Sequence, residues 1–185
     1  MSTITQTAGI EKGTYGIDPV HSRVGFEVRH LGIATFRGSF SEFSGTVAVD
    51  DGKIKNIEGS IVVASVDVPD KTLAGHLVSP DFFDAENHPQ GGFRSTSIEA
   101  HGEGGYTVAG DFTLRGVTRS IELQVEVEGA GPGMDGTPVV SLAAAGVIDR
   151  TDFGISWGAT VESGAAVVAE KVKLVMNIEA VRAGE

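Results

Sequence analysis

The amino-acid sequence predicts an all-β protein: an antiparallel barrel of about eight strands with one short helical insert. Apolar and polar residues alternate with a period of two through most of the chain, which is the pattern of strands that bury one face. The chain contains 26 glycines and 6 prolines, a composition typical of an all-β domain with many turns. Residues 75–84 (GHLVSPDFFD) are the one stretch whose pattern predicts neither a strand nor a turn between strands.

The alternation is clearest in residues 22–30, 118–128 and 168–181. Counting the weaker segments between them gives about eight strands, and a closed barrel of that size can hold one small ligand. Gly38 and Gly45 interrupt a long region of strand character, and we expect bends or bulges there, as barrels require.

The helical insert is predicted over residues 73–84, where it covers one end of the barrel. Asp70 stands where it can cap the first turn, and Leu73 and Leu77 then share one face at a spacing of i, i+4. Residues 79–81 (SPD) are predicted to start a second turn, which residues 87–89 (NHP) end.

Phe82 and Phe83 are adjacent in the second half of this insert. Neighbouring residues on a helix diverge by about 100°. We therefore expect one ring to project into the mouth of the barrel and the other to pack on the outer face of its rim.

The length of 185 residues suits a single domain. We predict a flexible N-terminal arm over residues 1–13 and a single barrel domain over residues 14–181. The N-terminal residues lack the basic and apolar regions of a secretory signal, and the longest apolar run, residues 142–148, is too short to span a bilayer. These features predict a cytoplasmic protein with no integral membrane segment.

The charge and the cysteine count narrow the classes of partner and chemistry. A formal net charge of −11 repels phosphate backbones and anionic headgroups, which argues against nucleic acid and against charge-driven docking on membranes. The chain has no cysteine, which excludes disulfides, zinc–thiolate sites and thiol chemistry.

Two apparent motifs are interpreted as structural. Residues 131–136 (GPGMDG) match the dinucleotide-binding pattern, but no helix follows them, so we predict a hairpin loop. His21, His76 and His88 flank the ends of elements without sharing a metal-ligand spacing. We predict no metal site, no catalytic residue and a hydrogen-bonding role for these histidines.

The polar residues at strand ends are also predicted to be structural, because unpaired backbone groups there need partners. They are Asp18, His21, Ser22, Asp149 and Arg150.

The aromatic residues suggest a ligand cavity. Any single Phe is most simply a core residue, but much of the remaining wall is built from Gly, Ala, Ser and Thr, which leaves volume unfilled. We predict that eleven residues contact a ligand: Phe26, Phe36, Phe40, His76, Leu77, Phe82, Phe83, Phe93, Phe112, Phe153 and Trp157.

Several segments resemble the YceI-like family of lipocalin-like polyisoprenoid-binding proteins. The matching stretches include YGIDPVHS at residues 15–22, HLVSPDFFD at residues 76–84, LRGVT at residues 114–118 and DRTDFG at residues 149–154. The resemblance implies a lipocalin-like antiparallel barrel whose elongated pocket holds the apolar chain of an isoprenoid, a quinone or a fatty amide. It also implies that dimers are common, so a homodimer is an expected assembly.

The leading functional prediction is non-catalytic binding, storage or transport of a long-chain apolar ligand, a polyisoprenoid, an isoprenoid quinone or a fatty amide. It includes no cofactor other than such a bound lipid. The alternative is an enzyme or a stress-response protein acting on a small lipophilic metabolite, with His21, His30, His76 and Asp84 as the candidate groups. A third reading is a purely structural partner protein with a solid barrel.

Overall fold

The computed structural model describes residues 9–184, and eleven strands account for most of them. In chain order the strands are β1 (Gly13–Ile17), β2 (Arg23–His30), β3 (Ala34–Phe40), β4 (Phe43–Asp50), β5 (Lys53–Val62), β6 (Val66–Asp67), β7 (Gln90–His101), β8 (Gly105–Leu114), β9 (Val117–Pro132), β10 (Pro138–Asp149) and β11 (Val168–Arg182). One α-helix, α1 (Lys71–Val78), and two short 3₁₀ helices, Val63–Ser65 and Arg150–Phe153, complete the secondary structure.

Eight of the strands form a closed antiparallel barrel, which confirms the predicted fold class. Their order is β1-β4-β5-β7-β8-β9-β10-β11, and the ring closes where β1 pairs with β11. The other three strands extend the sheet from β11 in the order β2-β3-β6. Residues 133–137 connect β9 to β10 as the predicted hairpin loop, in which the Gly133 N–H donates to the Thr137 carbonyl at 2.8 Å.

β1 and β2 are two parts of one interrupted strand, since both pair with β11. β1 reaches β11 through Ile17 opposite Ala180, and β2 continues from Arg23 opposite Asn177. Across the interruption, the Ser22 hydroxyl accepts from the Glu179 N–H at 2.9 Å and donates to the Glu179 carbonyl at 3.1 Å. The hydroxyl therefore supplies an acceptor for the Glu179 N–H, while the Asp18 N–H also donates to the Glu179 carbonyl, and this is the structural role predicted for Ser22.

The helical insert is shorter than predicted. α1 begins after Asp70, whose side chain accepts from the Leu73 N–H at 2.7 Å, so the predicted cap is confirmed. The helix ends at Val78, and residues 80–83 form turns instead of a second helical turn. Ser79 is extended, with ψ of 167°, as expected of a residue before proline, because Pro80 disfavours the helical region for its neighbour.

Two apolar clusters fill the two ends of the barrel. The lower cluster lies near the β4–β5 turn, and its fully buried members include Tyr15, Val47, Val108 and Val140. Ile10, within the predicted N-terminal arm, is also buried in this cluster, whereas residues 1–8 lie outside the described residues. The chain thus packs against the lower end from Ile10 onward.

The upper cluster lies beneath α1. Its buried members include Val63, Leu77, Phe82 and Phe153. Within residues 9–184, no helix has the length and apolar character needed to cross a bilayer.

Replacing Ile54 by Ala tests whether the lower cluster is solid core. The Ile54 side chain is 2% exposed, so its truncation should reduce the free energy of unfolding by about 2–5 kcal/mol in urea denaturation. Ile33→Ala is the matched control, because Ile33 is 78% exposed and should change stability by less than about 0.5 kcal/mol. Equal effects of the two substitutions would contradict a packed lower end.

Candidate ligand cavity

A cavity of about 470 Å³ lies inside the barrel between the upper and lower clusters. Its volume falls within the range of about 300–1,000 Å³ that is common for small-molecule pockets. Most of its lining is apolar and comes from the eight barrel strands, from β2 and β3, from α1 and its following turn, and from the segment after the second 3₁₀ helix.

Ten of the eleven residues predicted to contact a ligand line this cavity: Phe26, Phe36, Phe40, His76, Leu77, Phe82, Phe83, Phe93, Phe112 and Trp157. Phe153 is not among the lining residues. Its side chain is 1% exposed and packs on Phe112, with ring centroids 5.3 Å apart. It therefore supports the wall from behind.

The cavity is also lined by residues that are not in the predicted ligand set. Phe43 and Leu73 border the cavity, as do Leu174, Met176 and Ile178 of β11. The signal for the β11 residues was present in the period-two pattern of that strand, but a pattern alone does not tell which face points inward.

One group of aromatic rings lies where β2, β3 and the turn after α1 meet. The Phe26 and Phe40 ring centroids are 6.0 Å apart, and the Phe83 ring lies 6.3 Å from Phe26 and 5.8 Å from Phe40. These separations suit edge-to-face and tilted packing of aromatic rings.

A second aromatic group closes the upper end. The His76 ring packs edge-on against Phe82 at 4.9 Å and against Trp157 at 5.1 Å, and Phe82 and Trp157 lie 5.2 Å apart. α1 supplies the imidazole, the following turn supplies the phenyl ring, and the segment after the second 3₁₀ helix supplies the indole.

The expectation that only one of Phe82 and Phe83 would enter the barrel is wrong, because both rings line the cavity. The two residues follow α1 in a turn in which the Phe83 N–H donates to the Leu77 carbonyl at 2.9 Å. The helical divergence of about 100° does not apply to such a turn. Each ring joins a different aromatic group, and both groups face the same space.

Arg150 holds the segment that carries Trp157. Its guanidinium donates to the carbonyls of Ile155 at 2.8 Å, Trp157 at 2.7 Å, Ala169 at 2.9 Å and Val168 at 3.2 Å. The residue is 6% exposed, and burial lowers the pKa of its guanidinium from the ordinary value. This arrangement matches the structural role predicted for Arg150.

Asp149 starts the adjacent 3₁₀ helix. Its carboxylate accepts from the Thr151 N–H at 3.0 Å and lies 3.1 Å from the Lys171 ammonium. Bonds from the Thr151 hydroxyl and N–H, and then the contact with Lys171, lower the pKa of Asp149 to about 2.

Arg115 ties the β8–β9 turn to the upper end of the barrel. It donates to the Pro80 carbonyl at 2.8 Å and to the Gly154 carbonyl at 2.9 Å. The turn after α1 and the end of the second 3₁₀ helix are thus held by one side chain.

The polar residues considered for catalysis are dispersed. His30 and His76 line the cavity, and His76 lies 3.0 Å from the Asp81 carboxylate. Asp84 instead accepts from the Asn87 side chain at 3.0 Å. His21 pairs with Asp18 at 2.7 Å and is not a lining residue.

The three histidines considered for a metal site are likewise not grouped together. His88 lies 3.7 Å from Asp84, and His76 pairs with Asp81. Within residues 9–184, the one group of three potential ligand atoms lying within 4.8 Å of one another belongs to Asp18, His21 and Glu179.

Asp149→Asn should destabilise the protein in a pH-dependent manner. Because the folded pKa of about 2 lies below the ordinary aspartate pKa of 3.8, ionised Asp149 adds stability above about pH 4, and this contribution disappears as the pH falls towards 2. The gap in melting temperature between wild type and variant should therefore be largest near neutral pH and narrow in acid. Asp111→Asn on exposed β8 surface is the control, and a gap that does not change with pH would contradict the assignment.

Phe82→Ala and Phe83→Ala should separate core packing from cavity lining. The Phe82 ring is 7% exposed and packs on His76 and Trp157, so its loss should reduce the free energy of unfolding by about 3–5 kcal/mol. Phe83 is less buried and borders empty volume, so Phe83→Ala should cost less stability and mainly lower ligand affinity. Chemical denaturation and lipid titration measure the two effects. Equally large destabilisation by both would show that this region is a solid plug.

Comparisons with known proteins agree with the motifs. A model of the YceI-like domain matches residues 15–180. A UPF0312 protein of Serratia proteamaculans (strain 568) is 34% identical over 165 residues, covering 88% of this chain and 82% of that protein.

The fold is shared with solved structures, two of which illustrate the degree of similarity to this chain. BcnA of Burkholderia cenocepacia matches with a TM-score of 0.77 and 25% identity, over 88% of this chain and 98% of that one. A polyisoprenoid-binding domain from Saccharophagus degradans, implicated in plant cell wall breakdown, matches with a TM-score of 0.66 over 94% of this chain and 100% of that one. Its identity is 14%, so this likeness concerns the fold alone. With the domain model matched across nearly the whole barrel, the chain belongs to the YceI-like family.

Proposed function

We propose that this protein binds a single long-chain apolar molecule inside its barrel and stores or carries it without covalent chemistry. The candidate ligands are a polyisoprenoid, an isoprenoid quinone or a fatty amide. The observation that carries the proposal is the cavity of about 470 Å³, lined mainly by Phe, Leu, Ile and Val side chains.

Apolar contact alone provides enough free energy for such binding. Burial contributes about 0.8 kcal/mol per methylene, so each five-carbon isoprene unit adds roughly 3–4 kcal/mol before the costs of ordering the chain. A few units therefore suffice without an ion pair to the headgroup. Few polar groups border the cavity, and Arg150, one of them, already donates to four backbone carbonyls.

The similarities point in the same direction. The YceI-like domain spans the residues that build the cavity wall, and the Saccharophagus degradans domain with the same fold is a polyisoprenoid-binding domain. These likenesses support an apolar ligand, and the cavity supplies the physical basis for it.

A second candidate, an enzyme acting on a lipophilic metabolite, rests on one contact. The His76 imidazole lines the cavity and lies 3.0 Å from the Asp81 carboxylate, a pairing that can orient a histidine for proton transfer. A binding protein returns its ligand unchanged, whereas an enzyme alters it, so the same experiment distinguishes the two.

The test begins with organic extraction of the purified protein followed by mass spectrometry, which should recover a long-chain apolar molecule. The chain has a single tryptophan, and Trp157 lines the cavity, so its fluorescence reports occupancy directly. Titration of folded, ligand-free protein with geranylgeraniol should give a saturable change in Trp157 fluorescence, and the alcohol should be recovered unchanged. A dry barrel that takes up no chain would overturn the proposal, and a chemically altered alcohol would favour the enzyme.

A further inference from the structure

Several glycines lie on the cavity-facing side of the sheet, in the barrel strands and in β3, and each is covered by a large side chain from a neighbouring strand. An added Cβ would come closer than 3.0 Å to that side chain at four positions: Gly38 under Phe26, Gly45 under Ile17, Gly110 under Phe93 and Gly146 under Leu123. All four covering residues line the cavity. Because a glycine has no side chain, each large side chain can lie flat against the backbone of the neighbouring strand. This placement leaves space in the middle of the barrel.

The Gly38 position differs from the other three in one respect. At Gly45, Gly110 and Gly146 the added Cβ would also meet a backbone oxygen closer than 3.0 Å, so a side chain there would displace the strand itself. At Gly38 the atoms met are Cζ, Cε1 and Cε2 of Phe26, the far end of a flexible side chain. A methyl group at Gly38 would thus move the ring and not the backbone.

The geometry of β2 and β3 fixes where the ring would go. Gly38 lies directly opposite Phe26 in the antiparallel ladder, and it shares the inward face of β3 with Phe36 and Phe40, which both line the cavity. Phe40 and Phe83 already flank the Phe26 ring at centroid distances of 6.0 Å and 6.3 Å. Because Phe40 and Phe83 occupy the space on either side, a Phe26 ring displaced from Gly38 would turn into the cavity.

We propose that Gly38 sets the width of the cavity by holding the Phe26 ring against the wall, and that this width selects methyl-branched chains of the isoprenoid type over linear alkyl chains. The proposal rests on the proposed lipid-binding function. A linear chain can pass a ring that intrudes on the cavity, whereas the methyl branches of an isoprenoid need the space that the retracted ring leaves. Gly38 is therefore a specificity-determining position, although the residue itself has no side chain to contact a ligand.

The test compares two alcohols that differ only in branching. Cetyl alcohol and phytanol share the same main chain and hydroxyl, and phytanol carries four additional methyl groups. Binding of each is followed through Trp157 fluorescence in wild type and in Gly38→Ala. We expect Gly38→Ala to reduce the affinity for phytanol about tenfold relative to cetyl alcohol, as is usual when a pocket loses room for a methyl-sized group.

Two variants serve as controls. Gly16→Ala places a methyl group on β1, where an added Cβ meets nothing within 4 Å, and it should leave the affinity ratio unchanged. The double variant Phe26→Leu with Gly38→Ala removes the intruding ring and should restore phytanol binding. A restored ratio separates the effect of the ring from any general loosening of the barrel.

The outcomes are distinguishable from failure of the proposed function. If wild type binds neither alcohol, the lipid-binding proposal fails and this inference falls with it. If wild type binds both and Gly38→Ala leaves the ratio unchanged, lipid binding stands and the role of Gly38 is overturned. Should Gly38→Ala not fold, Phe26→Trp replaces it: a larger ring over Gly38 should lower the same ratio, and an unchanged ratio would again overturn the inference.

Discussion

The pairing between β1 and β11 is the constraint on which the rest of the molecule depends. A sheet that closes on itself leaves no strand edge within the ring, and the number of strands then fixes the diameter of the interior. Eight strands give a lumen that side chains can just fill or leave partly empty. In this protein the filling is uneven, because side chains pack closely at the two ends and a cavity remains inside the barrel.

The two ends of the barrel differ in how they are built. Tyr15, Val108 and Val140 pack densely in the lower end, which secures the fold without reference to a ligand. The upper end is assembled from a helix, a turn and an irregular segment, joined through His76, Phe82 and Trp157. The proposed function would use this difference, since a densely packed lower end keeps the barrel folded while the upper end is built from separate segments.

The sequence was most informative where a local rule is decisive. Period-two alternation located the long strands, and a single aspartate, Asp70, located the start of the helix. The two rings after the helix were misplaced, because the chain after Pro80 forms turns, to which the divergence of neighbouring residues on a helix does not apply. Phe153 was assigned to the lining because an aromatic residue in a short 3₁₀ helix carries no sequence signal of whether it faces a cavity or the layer behind it. Whether the residues that line the cavity bind a ligand stays a prediction.

The four bonds from Arg150 end on main-chain oxygens of residues 155, 157, 168 and 169. Every amino acid offers the same carbonyl, so the anchor is indifferent to the side chains of the segment that it holds. Residues 158–166 can therefore change in evolution without breaking these four bonds. A lineage can alter the side chains of this segment by substitution while the path of its backbone beside the cavity is kept.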